Sequence, residues 1–228
     1  MGTRGRGAGV WLLAFLGACY PDGRLEPAAS LEILSGNGAT GVVGALLPGG
    51  LAVRARTVDG DPAFAAEILF EITEGGGSLL NDRITADISG VAVASLLLGT
   101  EAGLVRVRAS VVADPALAVE FVVDAGPDEA AAIRLLSGDG QTGDAGQPLP
   151  LPIVVLVEDR NGNPVPGEIV SVEVAGNGGA AAVPTGPDGV ASIAYALGDG
   201  IETEAIRVVA SSRPAVGVDV DATIRNYA

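Results

Sequence analysis

Ser137-Gly138-Asp139-Gly140-Gln141-Thr142-Gly143 repeats the framework of Ser35-Gly36-Asn37-Gly38-Ala39-Thr40-Gly41. Outward from these runs the match continues. Gly44 pairs with Gly146, Leu47-Pro48 with Leu149-Pro150, and Asp59-Gly60-Asp61-Pro62 with Asn161-Gly162-Asn163-Pro164. Farther on, Gly90-Val91-Ala92 pairs with Gly189-Val190-Ala191, and Leu98-Gly99 with Leu197-Gly198. A period of roughly one hundred residues is too long for a solenoid unit and fits one β-sandwich domain.

Inside each repeat the apolar residues recur every second position, the period of a strand with one face buried. In the first repeat the inward rows are Leu51, Val53, Ala55; Ile68, Phe70, Ile72; Ala92, Ala94, Leu96, Leu98; and Val105, Val107, Ala109. In the second they are Ile153, Val155, Val157; Val170, Val172, Val174; Ala191, Ile193, Tyr195, Leu197; and Ile206, Val208, Ala210. Charged residues such as Arg54, Arg56, Glu71, Arg106 and Arg108 fall between them, on the wet face. Two such sheets face to face make a sandwich, so the fold class expected is all-β, with two tandem immunoglobulin-like β-sandwich domains. The expected extents are 31–124 and 131–228, joined by a stiff acidic linker at 125–130. Asn161-Gly162 tolerates positive φ and reads as a turn between strands.

The amino terminus reads as an address. Arg4 and Arg6 precede the apolar run Val10-Trp11-Leu12-Leu13-Ala14-Phe15-Leu16, which is shorter than the ~20 residues a membrane helix needs. Leu16-Gly17-Ala18-Cys19 resembles the lipobox of bacterial lipoproteins. That resemblance implies a signal peptide over 1–18, a lipidated Cys19 as the new N-terminus, and a polar tether over 19–30. The alternative is an ordinary secretory signal with a cysteine there by chance. Cys19 is the sole cysteine, so no internal disulfide forms. Tyr20 rather than an acid follows it, which by the same resemblance implies outer-membrane sorting.

The second repeat resembles the bacterial immunoglobulin-like group 1 domains of invasin and intimin. The resemblance is carried by Gly138, Gly140, Gly143, Gly146, Leu149-Pro150, Asn161, Gly162, Asn163, Pro164, Val165-Pro166-Gly167 and Asp188-Gly189. The first repeat matches more loosely, because its turn reads Asp59-Gly60-Asp61-Pro62-Ala63-Phe64. This resemblance implies a surface spacer or adhesion module with a protein partner, and together with the lipobox it implies a lipid-anchored envelope protein at the outer membrane or cell surface. The alternative is a periplasmic or outer-membrane accessory factor that recruits a protein through exposed sheet edges.

Composition narrows the chemistry. The chain has no histidine and no lysine; its 13 positive charges are all arginine, against 28 acids. His-dependent nucleophilic catalysis, His-ligated zinc, Schiff bases and P-loop chemistry are thereby removed, and no enzyme activity, cofactor or small-molecule substrate is expected. A net charge of −15 repels phosphates, so nucleic acid is an unsuitable partner. Four sharper readings fare poorly against plainer ones. Asp159-Arg160-Asn161-Gly162-Asn163 opens like a calcium loop, but the twelfth position is Val170 where an EF-hand needs glutamate, so it reads as a turn. Asp124, Asp128 and Glu129 could clamp calcium, yet read more simply as a solvated hinge. Glu168 with Glu173, and Glu202 with Glu204, lack the cleft a carboxylate pair needs. Gly36, Gly38, Gly41 and Gly44 lack the strand-to-helix setting of a phosphate loop.

Overall fold

The structure is a computed structural model that describes residues 26–174, 182–199 and 203–225. Every regular element among them is a strand. The first half contributes β1 (Ser30–Ser35), β2 (Thr40–Val42), β3 (Leu51–Arg56), β4 (Glu67–Glu74), β5 (Gly77–Leu79), β6 (Arg83–Thr85), β7 (Val91–Ala94), β8 (Leu96–Leu98), β9 (Gly103–Val111) and β10 (Asp114–Gly126). The second contributes β11 (Ala130–Ser137), β12 (Gln141–Asp144), β13 (Ile153–Asp159), β14 (Ile169–Val174), β15 (Ala182–Pro184), β16 (Val190–Ile193), β17 (Thr203–Ala210) and β18 (Arg213–Arg225).

The sequence repeat is a repeat of topology. In domain 1 a three-stranded sheet, β1-β3-β7, faces a five-stranded sheet, β2-β10-β9-β4-β6. Domain 2 has the same arrangement as β11-β13-β16 and β12-β18-β17-β14-β15. Pairing is antiparallel except where β2 meets β10 and β12 meets β18, which run parallel. Domain 1 also carries a short β5-β8 pair.

The alternating rows build the two cores. Leu51, Val53 and Ala55 of one sheet pack against Ile68, Phe70, Val105, Val107 and Phe121 of the other. The Phe70 and Phe121 rings lie 6.3 Å apart, tilted. In domain 2, Ile153, Val155 and Val157 meet Val170, Val172, Ile206 and Val208. Burying one such side chain contributes about 1.5–3 kcal/mol, so these rows dominate each domain's stability. Ile72 and Val174 end only half-buried, near the ends of their rows, and Tyr195 does so beyond the end of β16, where its hydroxyl donates to Glu204. The row Ala92, Ala94, Leu96, Leu98 points inward throughout, but it belongs to two strands, broken at Ser95.

The opening motif is stitched to the last strand of its domain. Asn37 Oδ1 accepts the N–H of Val122 at 2.9 Å, and Gly38 N–H donates to Val122 O at 2.8 Å. Asp139 and Gly140 make the same two bonds to Asp221, at 3.0 and 2.9 Å. A Cβ on Gly138 would lie 2.7 Å from Ile153 Cα, at a φ of +106°. On Gly143 it would lie 2.7 Å from Leu197 Cδ1. Close approach therefore explains why glycine recurs at these positions. Gly140 takes a φ of 64° in the turn between them.

The wet faces carry cross-strand ion pairs. Arg106 sits between Glu74, at 2.8 Å, and Glu120, at 2.6 Å. The hydrogen bond to Glu120 and its charge, helped by Glu74, hold the Arg106 guanidinium above its ordinary pKa. Arg207 pairs with Asp219 at 2.9 Å.

Candidate functional site at the domain junction

β10 ends at Gly126 and β11 begins at Ala130, so only residues 127–129 separate the two domains. The Asn161-Gly162 turn closes no hairpin. It follows β13 of the three-stranded sheet and leads toward β14 of the five-stranded sheet. Its position at the end of β13, beside the start of β11, brings it against domain 1.

Asp159, the last residue of β13, organises the turn. Its Oδ1 accepts the N–H groups of Asn161, at 2.8 Å, and Asn163, at 2.9 Å. Its Oδ2 accepts Asn163 Nδ2, at 2.8 Å, and the N–H of Asp128 in the linker, at 3.0 Å. Asp159 is only 3% exposed. Burial pushes its carboxyl upward, but the hydrogen bonds from the Asn163 side chain and from the N–H groups of Asp128, Asn163 and Asn161 outweigh burial. The net effect holds the carboxyl below the usual aspartate value.

Asn163, 9% exposed, crosses the junction. Its Oδ1 accepts the N–H of Ala102 at 2.9 Å, and its Nδ2 donates to the carbonyl of Thr100 at 2.8 Å. An amide supplies one acceptor and two donors in a plane, so it pairs with a backbone turn as another strand would. Aspartate or leucine would not reproduce that pairing. Gly162 takes a φ of 86° at the tip of the turn, and Glu158 and Pro164 form an isolated antiparallel bridge across its base, closed by the N–H groups of Asp159 and Val165 donating to the carbonyls of Asn163 and Val157 at 2.9 Å each.

The linker acids are engaged by arginines. Arg160 Nη2 lies 2.8 Å from Asp128 Oδ2, and Arg213 Nη1 lies 3.8 Å from Glu129 Oε2. Asp124 belongs to β10, where its backbone pairs with Thr40. Glu204 is also engaged: its Oε1 accepts the Tyr195 hydroxyl at 2.7 Å and its Oε2 the Gly198 N–H at 2.9 Å. Burial, then the bond to and the charge of Glu204, push the Tyr195 phenol well above its ordinary pKa. Glu168 caps the N–H of Ser212 at 3.0 Å. Gly138, Gly140 and Gly143 lie away from the junction, in the stitched motif. Leu16, Gly17, Ala18, Cys19 and Glu202 lie outside the described residues.

The equivalent turn of domain 1 keeps the backbone and loses the chemistry. Thr57 N–H donates to Asp61 O at 2.8 Å, matching Asp159 N–H to Asn163 O at 2.9 Å. Thr57 stands in the place of Asp159 and Asp61 in that of Asn163. The Thr57 hydroxyl is buried with no hydrogen-bond partner. The junction partners Thr100 and Ala102 carried no signal in the sequence. The pair Asp159 and Asn163 did carry one, since the repeats diverge there while the flanking framework is kept.

Two duplicated sandwiches of this strand order, held end to end, have counterparts among solved structures. FdeC, an adhesin of Escherichia coli, aligns over 86% of this chain and 64% of its own, with a TM-score of 0.55 at 18% identity. InvD of Yersinia pseudotuberculosis aligns over 86% of this chain and 56% of its own, with the same score and identity. This is the fold of the invasin- and intimin-type adhesin domains. The invasin/intimin-type assignment therefore rests on the shape of the tandem sandwiches, and this chain spans less than two-thirds of either counterpart. No protein-family model and no curated protein matches the sequence.

Proposed function

We propose that this chain is a lipid-anchored bacterial envelope protein at the outer membrane or cell surface. Its two invasin/intimin-type domains act as a short spacer or adhesion module toward a protein partner. The observation that carries the reading is the junction. Asn163 and Asp159 tie domain 2 to the Thr100–Ala102 turn and to the linker, as a module that must hold its far end at a set distance requires. The proposed extents are a signal peptide over 1–18, a tether over 19–30, domains over 31–124 and 131–228, and a linker over 125–130, of which only 127–129 lie outside the strands.

Three further facts support this reading. The fold is one that FdeC, an adhesin, also has. The run Leu16-Gly17-Ala18-Cys19 supplies an acylation site, and two or more acyl chains hold a protein stably at a bilayer. Among the described residues no helix is long and apolar enough to cross a membrane. The function is proposed to be non-enzymatic, given the missing histidine and lysine and the engagement of Glu168 and Glu204 in capping. Recruitment of a protein through a sheet edge is the alternative, with β1 (six residues) and β11 (eight residues) the longest edge strands of the two sandwiches. Mass spectrometry of the mature N-terminus, with protease shaving of intact cells, tests the proposal. Acylated Cys19 and shaved domains are expected; an unmodified Cys19, or full protection, would contradict it.

A further inference from the structure

The end of domain 1 that matches the occupied end of domain 2 carries an apolar tip. Val58 is 81% exposed, Ile88 80% and Phe64 47%. They lie on two neighbouring loops, 57–66 and 86–90, held together by Ala65 N–H to Ala86 O at 3.1 Å and Ala86 N–H to Ala66 O at 2.8 Å. In domain 2 the equivalent positions are Arg160, Pro166 and Pro187, at the end where domain 1 is clasped. The apolar residues therefore stand where, among the described residues, no polar clasp is built, with Thr57 and Asp61 in place of Asp159 and Asn163.

The path of the chain says what this tip faces. β1 starts at Ser30, paired with Arg56, and Ala29 N–H donates to Arg56 O at 2.7 Å. The chain thus enters domain 1 at the same end, two residues from Val58. From Cys19 to Ser30 the extended chain spans at most about 40 Å. An acylated Cys19 thus keeps this end, and not the far end of domain 2, within about 40 Å of the bilayer.

We infer that Val58, Phe64 and Ile88 form a membrane-interface contact that seats domain 1 on the lipid surface beside its own anchor. The inference rests on the anchoring proposed above. Exposed apolar residues at a tethered end gain from burial at the headgroup boundary, and the tether removes most of the cost of bringing them there. Asp59, Asp61 and Asp87 share the same loops, so the surface that fits is one of net-neutral headgroups rather than an anionic one. Three side chains are too few for a stable protein interface, which buries about 1,200–2,000 Å².

The test uses the full-length lipoprotein in phosphatidylcholine–phosphatidylethanolamine vesicles that carry a lipid-borne quencher. A fluorophore is placed on Ile88→Cys, or on Leu151→Cys in domain 2 as the distant control. Strong quenching and a blue shift at position 88, neither at 151, and loss of quenching when anionic lipid is added are expected. Val58→Asp in the Ile88→Cys background should lower the quenching toward the control. Vesicle-bound, acylated protein with an unquenched probe at 88 overturns the contact alone. Protein that stays off the vesicles and lacks acyl mass on Cys19 overturns the anchoring, and the contact with it. Self-quenching between labelled copies without lipid quenching assigns the tip to a second copy and overturns the lipid assignment.

Discussion

At the scale of the residue, Asn163 and Asp159 divide one task. Asp159 shapes the turn, and Asn163 uses the shaped turn to reach domain 1. Asn163→Ala leaves the Thr100 carbonyl and the Ala102 N–H without partners, so the junction should weaken by about 1–3 kcal/mol while each core stays intact. Differential scanning calorimetry checks this through loss of coupling between the two unfolding transitions. Asn163→Asp should be worse, because it sets a second carboxylate against Asp159. The pH dependence follows from the lowered Asp159 carboxyl. A carboxyl held low when folded stabilises fully above its unfolded value, near pH 4, and that stability is lost as pH falls through its folded value. Coupling between the domains should therefore persist at pH 5 and fade below about pH 4, as followed by calorimetry, and Asp159→Asn should remove the dependence. Thr57→Val takes away a buried hydroxyl that bonds nothing and keeps the shape. It should leave the stability of domain 1 unchanged or raise it by up to about 1 kcal/mol, read by calorimetry as an unchanged or higher melting temperature.

At the scale of the element, the strands were legible because their chemistry is local. A row such as Ile153, Val155, Val157 can only be a strand with one face on a core, and all three are fully buried. What the period could not reveal was where the chain changes sheet. The Ala92–Leu98 row reads as one strand, yet pairing with different partners divides it at Ser95. The Asn161-Gly162 run reads as a turn between strands, but not as one that carries the chain from one sheet of the sandwich toward the other. Its role at the junction depends on Thr100 and Ala102, some sixty residues earlier, whose participation is through backbone groups that no side chain advertises. The glycines of the opening motif were legible as turns, but their reason is partly close packing. Gly138→Ala should cost domain 2 about 1–3 kcal/mol, since its Cβ would meet Ile153 Cα at 2.7 Å and its φ is +106°. Chemical denaturation of the variant checks this, with a lower midpoint and an unchanged slope expected.

At the scale of the whole molecule, two domains of like topology differ at their corresponding ends. Domain 2 receives domain 1 through a polar clasp. Domain 1 presents an apolar tip at the end where the chain arrives from Cys19. Cores of equal design thus give a tandem whose junction is fixed by a few hydrogen bonds. The spacer reading requires that this junction hold in solution. Residual dipolar couplings of the two-domain protein test it most directly, by giving an alignment tensor for each domain. The account predicts one shared tensor for both domains at neutral pH, and two different tensors in Asn163→Ala. Independent alignment of the domains in the unaltered protein would contradict it.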